Sequence, residues 1–174
     1  MTKKDRLVAA LSESTKAGGG INTAAELAYM IGERLTPAFT KFLTVCAKKG
    51  LIRRVAKGVF ESTLTPPDPT TAIYKIAKKL RANVISYISL ESQLSHTGDI
   101  SQIPMGRLTI VTKGRSGTFS TPYGVIEFTH SKKTIRNIAP NLYFDESVGM
   151  YRAQSSQAIK DLKNCKRNTH MLES

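Results

Sequence analysis

The chain has 174 residues, 40% of them hydrophobic, enough apolar volume for one ordinary domain or two small ones. Lys and Arg number 26 against 13 Asp and Glu, a formal net charge of +13 that is spread over both halves, with +6 over residues 1–61 and +7 over residues 62–174. Such an excess attracts polyanions, because each neutralised phosphate releases a counterion. No run approaches the roughly eighteen apolar residues of a membrane helix, and the basic start has neither a long apolar stretch nor a small-residue cleavage site, so a cytoplasmic protein without a signal peptide is expected. Cys46 and Cys165, far apart in sequence, read as reduced thiols, with Cys46 a small core residue.

In chain order, Leu7 and Leu11, with Val8 and Ala10 between them, predict a first helix that stops at Gly18-Gly19-Gly20. Ile21-Asn22-Thr23 reads as a short extended stretch. Thr23 and Glu26 form a capping-box pattern that opens a second helix, Ala24 to Ile31, buried through Leu27, Ala28 and Ile31. Thr36-Pro37 starts a third helix, whose stripe of Phe39, Phe42, Leu43, Cys46 and Ala47 has core-facing spacing. Lys48-Lys49-Gly50 ends it. Two short strands, Leu51–Val55 and Val59–Glu61, flank Ala56-Lys57-Gly58 as a hairpin.

Helix, strand, helix, turn, helix, hairpin is the order of a winged helix-turn-helix. A helix of this kind fits the major groove of DNA. Its outer face would carry Thr36, Ala38, Thr40, Lys41, Thr44 and Lys48, hydroxyls and cations suited to phosphates and base edges. Arg53, Arg54 and Lys57, near the hairpin tip, would reach the backbone or a minor groove. The same element order also serves as a protein-docking module, and Lys48 and Lys49 could merely complement a helix dipole.

Thr63-Leu-Thr-Pro-Pro-Asp-Pro69 predicts a stiff, extended linker. Beyond it, Thr70–Leu80 reads as an amphipathic helix, with Ile73, Ile76, Ala77 and Leu80 inward. Lys75, Lys78, Lys79 and Arg81 face outward, either as a solvated surface or as secondary phosphate contacts. Val84–Ser89 is β-prone. Leu90–His96 follows as a short helix, with Ser89 its candidate cap. Strands are expected over Arg107–Thr112, Phe119–Thr121, Tyr123–Thr129, Asn141–Phe144 and Gly149–Arg152, with Lys113-Gly-Arg-Ser-Gly117 as a basic turn. Ser155 or Ser156 would cap a final helix running to about Lys166, and Asn168–Ser174 reads as a frayed tail. The expected fold class is α+β: a winged helix-turn-helix over 1–62, a linker over 63–69, and a mixed α/β domain with an antiparallel sheet over 70–174.

Nothing in the pattern predicts an enzyme or a cofactor. His96, His130 and His170 share no metal-ligand spacing. Lys113–Gly117 lacks the spacing of a phosphate loop, and no GxSxG is present. Asp145-Glu146 is the closest approach to the clustered acids that a magnesium-dependent nuclease needs.

Three stretches resemble AbiEi-type antitoxins of type IV toxin–antitoxin systems: Lys49–Phe60, Val84–His96 (Val-Ile-Ser-Tyr-Ile-Ser-Leu-Glu-Ser over 84–92), and Met150–Leu162. Gln154-Ser155-Ser156 departs from the pattern, standing where a Thr-Pro pair is expected. The resemblance implies a transcriptional repressor that binds inverted repeats in double-stranded operator DNA of its own operon. It also implies a C-terminal domain that counteracts a nucleotidyltransferase-like toxin, without requiring a stable complex. Thr40, Lys41, Thr44 and Lys48 would then face the groove, and Arg53, Arg54 and Lys57 the backbone. A nucleic-acid-binding protein of plasmid maintenance or conjugation, without antitoxin activity, is the alternative.

Overall fold

A computed structural model describes residues 1–101 and 106–165. The fold is mixed α+β, and the chain divides into two compact units, Met1–Leu80 and Arg81–Ser174. Among the described residues no helix is long and apolar enough to cross a membrane.

The first unit opens with α1 (Lys3–Lys16), capped reciprocally by Thr2 and Asp5. After β1 (Asn22–Thr23), the expected Thr23–Glu26 box caps α2 (Ala24–Met30), with both hydrogen bonds formed at 3.0 and 3.2 Å. Thr36 Oγ1 accepts the Phe39 amide (3.1 Å) and Pro37 occupies the first turn of α3 (Pro37–Lys48). The hairpin of β2 (Ile52–Ala56) and β3 (Val59–Ser62) turns at Lys57-Gly58, where Gly58 takes φ +68, a conformation that costs glycine little. These strands and β1 form a three-stranded antiparallel sheet in the order β1-β3-β2. Leu7, Leu11, Leu27, Ile31, Phe39, Leu43, Cys46, Ile52 and Phe60 close one core between the helices and this sheet.

The boundary between the units falls later than the proline-rich stretch. All four residues of β3 are buried, which one covered face cannot produce, because strand side chains alternate. The second covering is α4 (Ala72–Leu80), which packs on β3 with Ala72, Ile76 and Ala77 buried. Residues 70–80 therefore belong with the first unit, not with the second domain. Nor is 63–69 a free linker. Thr15 Oγ1 donates to the Thr65 carbonyl (2.7 Å), Thr65 Oγ1 to Ser12 Oγ (3.2 Å), and Pro67 is buried. Gly20 (φ +93) lies so close that a Cβ there would sit 2.9 Å from Pro67 Cβ. Ile76→Ala should thus destabilise the first unit by about 2–3 kcal/mol, through reduced burial and a residual cavity. Hydrogen exchange of the β3 amides would read this out, and unchanged protection would place α4 outside that core.

The second unit carries β4 (Ser86–Ile88), α5 (Leu90–Thr97), β5 (Arg107–Thr112), β6 (Gly117–Thr121), β7 (Gly124–His130), α6 (Ile135–Ile138), β8 (Leu142–Asp145), β9 (Met150–Ala153) and α7 (Ser155–Asn164). Its six-stranded sheet has the order β6-β7-β5-β4-β9-β8. It is mixed rather than antiparallel, since β5 runs parallel to β7 and β4 parallel to β9. The cause is topological. β6 hairpins onto the outer side of β7, so β7 meets β5 in the same direction. Leu90, Leu94, Val111, Ala153, Ala158 and Leu162 form the core beneath α5 and α7.

Ser89 holds the cap position of α5 as expected, but its side chain does not bond the helix. Ser155 and Ser156, the expected caps of the last helix, lie inside α7, and Gln154 holds its cap position without a side-chain bond to it. Leu90 enters α5 at φ +58, a left-handed conformation costly for a branched residue, and packing that leaves it fully buried holds it there. The helix of 135–138 has no forerunner in the sequence pattern. Lys166, His170 and the expected tail of Asn168–Ser174 lie outside the described residues.

Candidate nucleic-acid interface

The apolar positions of α3 set its geometry. Phe39, Leu43 and Cys46 are buried, so Pro37, Lys41, Thr44 and Lys48 form the middle of the opposite, exposed arc, with Thr40, Ala38 and Val45 on its flanks. No acidic residue occurs anywhere in the helix. Each of the six side chains expected on this face is exposed.

Their chemistry is narrower than the sequence implies. Thr36 is committed to capping. Thr40 Oγ1 donates to the Thr36 carbonyl (3.3 Å) and Thr44 Oγ1 to the Thr40 carbonyl (3.1 Å). With the hydroxyl protons turned back onto the helix, the outward lone pairs accept rather than donate. That suits base amino groups better than phosphate oxygens, and it leaves Lys41 and Lys48 as the donors of the stripe. Val45 is 37% exposed on this polar face. Its off-stripe position was readable from the periodicity, and an apolar side chain there suits a thymine methyl.

On the hairpin, Arg53, Arg54 and Lys57 are all exposed. Arg53 pairs across the strands with Glu61, Nη1 to Oε1 at 3.5 Å, and Glu61 is only 1% exposed. The carboxylate therefore orients a half-exposed guanidinium. Arg54 Nε donates to the Ala56 carbonyl (3.4 Å) beside a bulge between Arg54 and Ala56. Tyr29, 86% exposed on α2, and Arg34, in the turn before α3, are further exposed side chains of this unit that no sequence pattern singles out.

The basic face expected of residues 75–81 is mostly engaged elsewhere. Lys75 Nζ donates to the Gly19 carbonyl (3.2 Å), and Lys79 pairs with Glu26 at 2.7 Å. That ion pair and the Thr23 bonds hold the Glu26 carboxyl below its ordinary range, against the burial that pushes it up. Arg81 donates twice to the Arg115 carbonyl (3.1 and 2.9 Å) with its guanidinium over the rings of Phe119 and Phe128. Only Lys78 of the four is exposed. Lys75, Lys79 and Arg81, expected on an outward basic face, each hold a partner within the chain.

No family model matches the chain, and no curated protein does. Among solved structures it is similar to the RV2827C protein from Mycobacterium tuberculosis, at a TM-score of 0.59 and 12% identity, covering 95% of this chain and 62% of that one. The likeness is one of fold alone, and this chain spans 62% of that protein's length.

In the second unit the polar side chains form two buried networks. Asp161 accepts from Tyr87 Oη (2.8 Å), Ser89 Oγ (2.7 Å) and Gln157 Nε2 (2.8 Å), and Gln157 Oε1 accepts from Asn141 (3.0 Å). Burial pushes the Asp161 carboxyl up against these three donors, and burial beside that carboxyl pushes the Tyr87 phenol up. The second network centres on Arg152, which donates to Asp145 (2.7 Å) and Gln93 (2.9 Å), while Gln93 Nε2 donates to Tyr143 Oη (2.8 Å). Among the described residues no three His, Cys, Asp or Glu side chains converge as a metal site. Asp145 is occupied by Ser147 and Arg152, bonds that hold it down at about 2.

Proposed function

We propose that the chain is a sequence-specific DNA-binding transcriptional repressor whose first unit works as a winged helix-turn-helix. In this reading α3 enters the major groove and the β2–β3 hairpin is the wing. One observation carries it: the exposed arc of α3 is cationic, free of acids and uncovered within its unit, and the hairpin that follows carries three further exposed cations. A docking helix for a protein would be expected to present larger apolar side chains than the Pro37, Ala38 and Val45 of this arc.

Lys41 and Lys48 supply charge, Thr40 and Thr44 accept from base edges, and Val45 and Ala38 supply apolar contact. Arg53, steered by Glu61, and Lys57 contact backbone phosphates. The resemblance to AbiEi-type antitoxins extends the proposal to an autoregulated operon in the cytoplasm, with a nucleotidyltransferase-like toxin as functional partner of the second unit.

Binding to the DNA upstream of its own gene, measured by gel shift against scrambled duplex, tests the reading. Lys41→Ala with Lys48→Ala should weaken operator binding by about 10–100-fold, about 1–3 kcal/mol. Wild-type affinity in the double variant, or equal binding to scrambled DNA by the native chain, overturns it.

A further inference from the structure

The loops that follow β5 and β7 lie side by side, because these strands run parallel and stay in register up to the Thr112–His130 pair. Each loop is pinned. Lys113 Nζ donates to the carbonyls of Ser131 (2.7 Å) and Lys133 (2.6 Å), and the Ser131 amide donates to the Thr112 carbonyl (3.0 Å). The His130 amide donates to Ser116 Oγ (2.8 Å), and its Nδ1 meets the Gly114 carbonyl at 2.7 Å. Arg81 holds the Arg115 carbonyl from behind, and a Cβ on Gly114 would press within 3.3 Å of its Cδ.

Lys113 and Arg81 are thus committed to backbone carbonyls. Arg115, Lys132, Lys133 and Arg136 remain, all exposed and none in an ion pair among the described residues. A solvated charged face normally interleaves acids. Here Glu127 is the one acid from residue 107 through 144, three positions back along β7 from His130 and paired with Arg107 at 2.8 Å. Arg115, Lys132 and Lys133 sit on the two pinned loops and Arg136 on α6, directly after the second of them, so an extended polyanion would be neutralised there without an ordering cost for the loops.

We infer that this loop pair is a second phosphate-binding surface, carried by the second unit and engaging the backbone of duplex DNA without reading sequence. The choice of duplex DNA rests on the proposed role of α3. The surface would add affinity and salt dependence but no selectivity.

The test uses the full chain and a random-sequence DNA duplex, with affinity followed by fluorescence anisotropy across a potassium chloride series. The variant carrying Arg115→Ala, Lys132→Ala, Lys133→Ala and Arg136→Ala should bind more weakly. Its slope of log affinity against log salt should be shallower by about 3.6, near 0.9 for each of the four phosphates no longer neutralised. The charge-preserving set Arg115→Lys, Lys132→Arg, Lys133→Arg and Arg136→Lys should keep the native slope. An unchanged slope in the alanine variant overturns the inference, and so does equal weakening in the charge-preserving set. If these cations instead serve an acidic protein or an anionic membrane, the duplex slope does not move and the inference fails. The Lys41/Lys48 variant separates the two claims. Abolished selectivity there, with a native slope in the loop variant, leaves α3 standing and removes the loops. The opposite pattern keeps the loops and removes α3.

Discussion

Asp161→Ala should destabilise the second unit by about 3–5 kcal/mol, because it leaves three buried donors with no acceptor. Tyr87, Ser89 and Gln157 all point at this carboxylate, Asp161 is 2% exposed, and Tyr87 and Ser89 are equally removed from water. Asp161→Asn should cost less. One amide oxygen can still serve Tyr87 and Ser89, but the new NH2 then faces the Gln157 NH2. Gln157 cannot simply turn over, since its oxygen already accepts from Asn141. Adding Gln157→Glu supplies acceptors to both sides and should recover part of the stability. Hydrogen exchange of the amides in β4, β9 and α7 measures each step. Equal destabilisation by Asp161→Ala and Asp161→Asn would show that cavity volume, not donor satisfaction, governs the site.

That network also shows what could be read from the sequence and what could not. Local rules located most elements, because their signals are local. Thr23 with Glu26, Thr36-Pro37 and the Phe39–Leu43–Cys46 spacing each act within one or two turns of chain. The exposed arc of α3 follows from the same spacing. Choice of partner did not follow. The stripe of residues 72–80 says that one face is buried, but not that it is buried against β3. The same blindness made Lys75 and Lys79 look like an outward basic face, when each reaches a partner more than fifty positions away in sequence. Ser89 sits where a cap belongs, yet Asp161, seventy-two residues on, takes its hydroxyl. Parallel pairing leaves no mark on single strands, so β5 beside β7 was not legible either. The four residues of α6 span barely one turn, too short for any period to show. The acid-poor stretch around the β5 and β7 loops was visible as composition. Its convergence at one end of a sheet was not.

The Arg152 network should respond asymmetrically to removal of either partner. Asp145→Ala should cost about 3–5 kcal/mol, since it strands a guanidinium in the interior with Gln93 as its remaining acceptor. Arg152→Met should cost about 1–3 kcal/mol, the penalty for leaving the buried Gln93 oxygen unpaired. The difference follows from exposure. The Arg152 side chain is 6% accessible and that of Asp145 18%, so Asp145 retains some water and its bonds from Ser147 when the arginine is gone. Acid should expose the same pair. The Ser147 hydroxyl and Arg152 hold Asp145 down to about 2 in the folded chain, against about 3.9 for an unfolded aspartate. A depressed carboxyl contributes its stability above the unfolded value and loses it as pH falls through the folded one. The second unit should therefore weaken between about pH 4 and pH 2 through Asp145, and Arg152→Met should flatten that part of the curve. Asp161, held above its ordinary range by burial, has the opposite sign and weakens the unit as pH rises from the acid side. Urea midpoints of native chain, Arg152→Met and Asp161→Asn across that range separate the two carboxylates. An Arg152→Met curve parallel to the native one would remove the ion pair from the acid response.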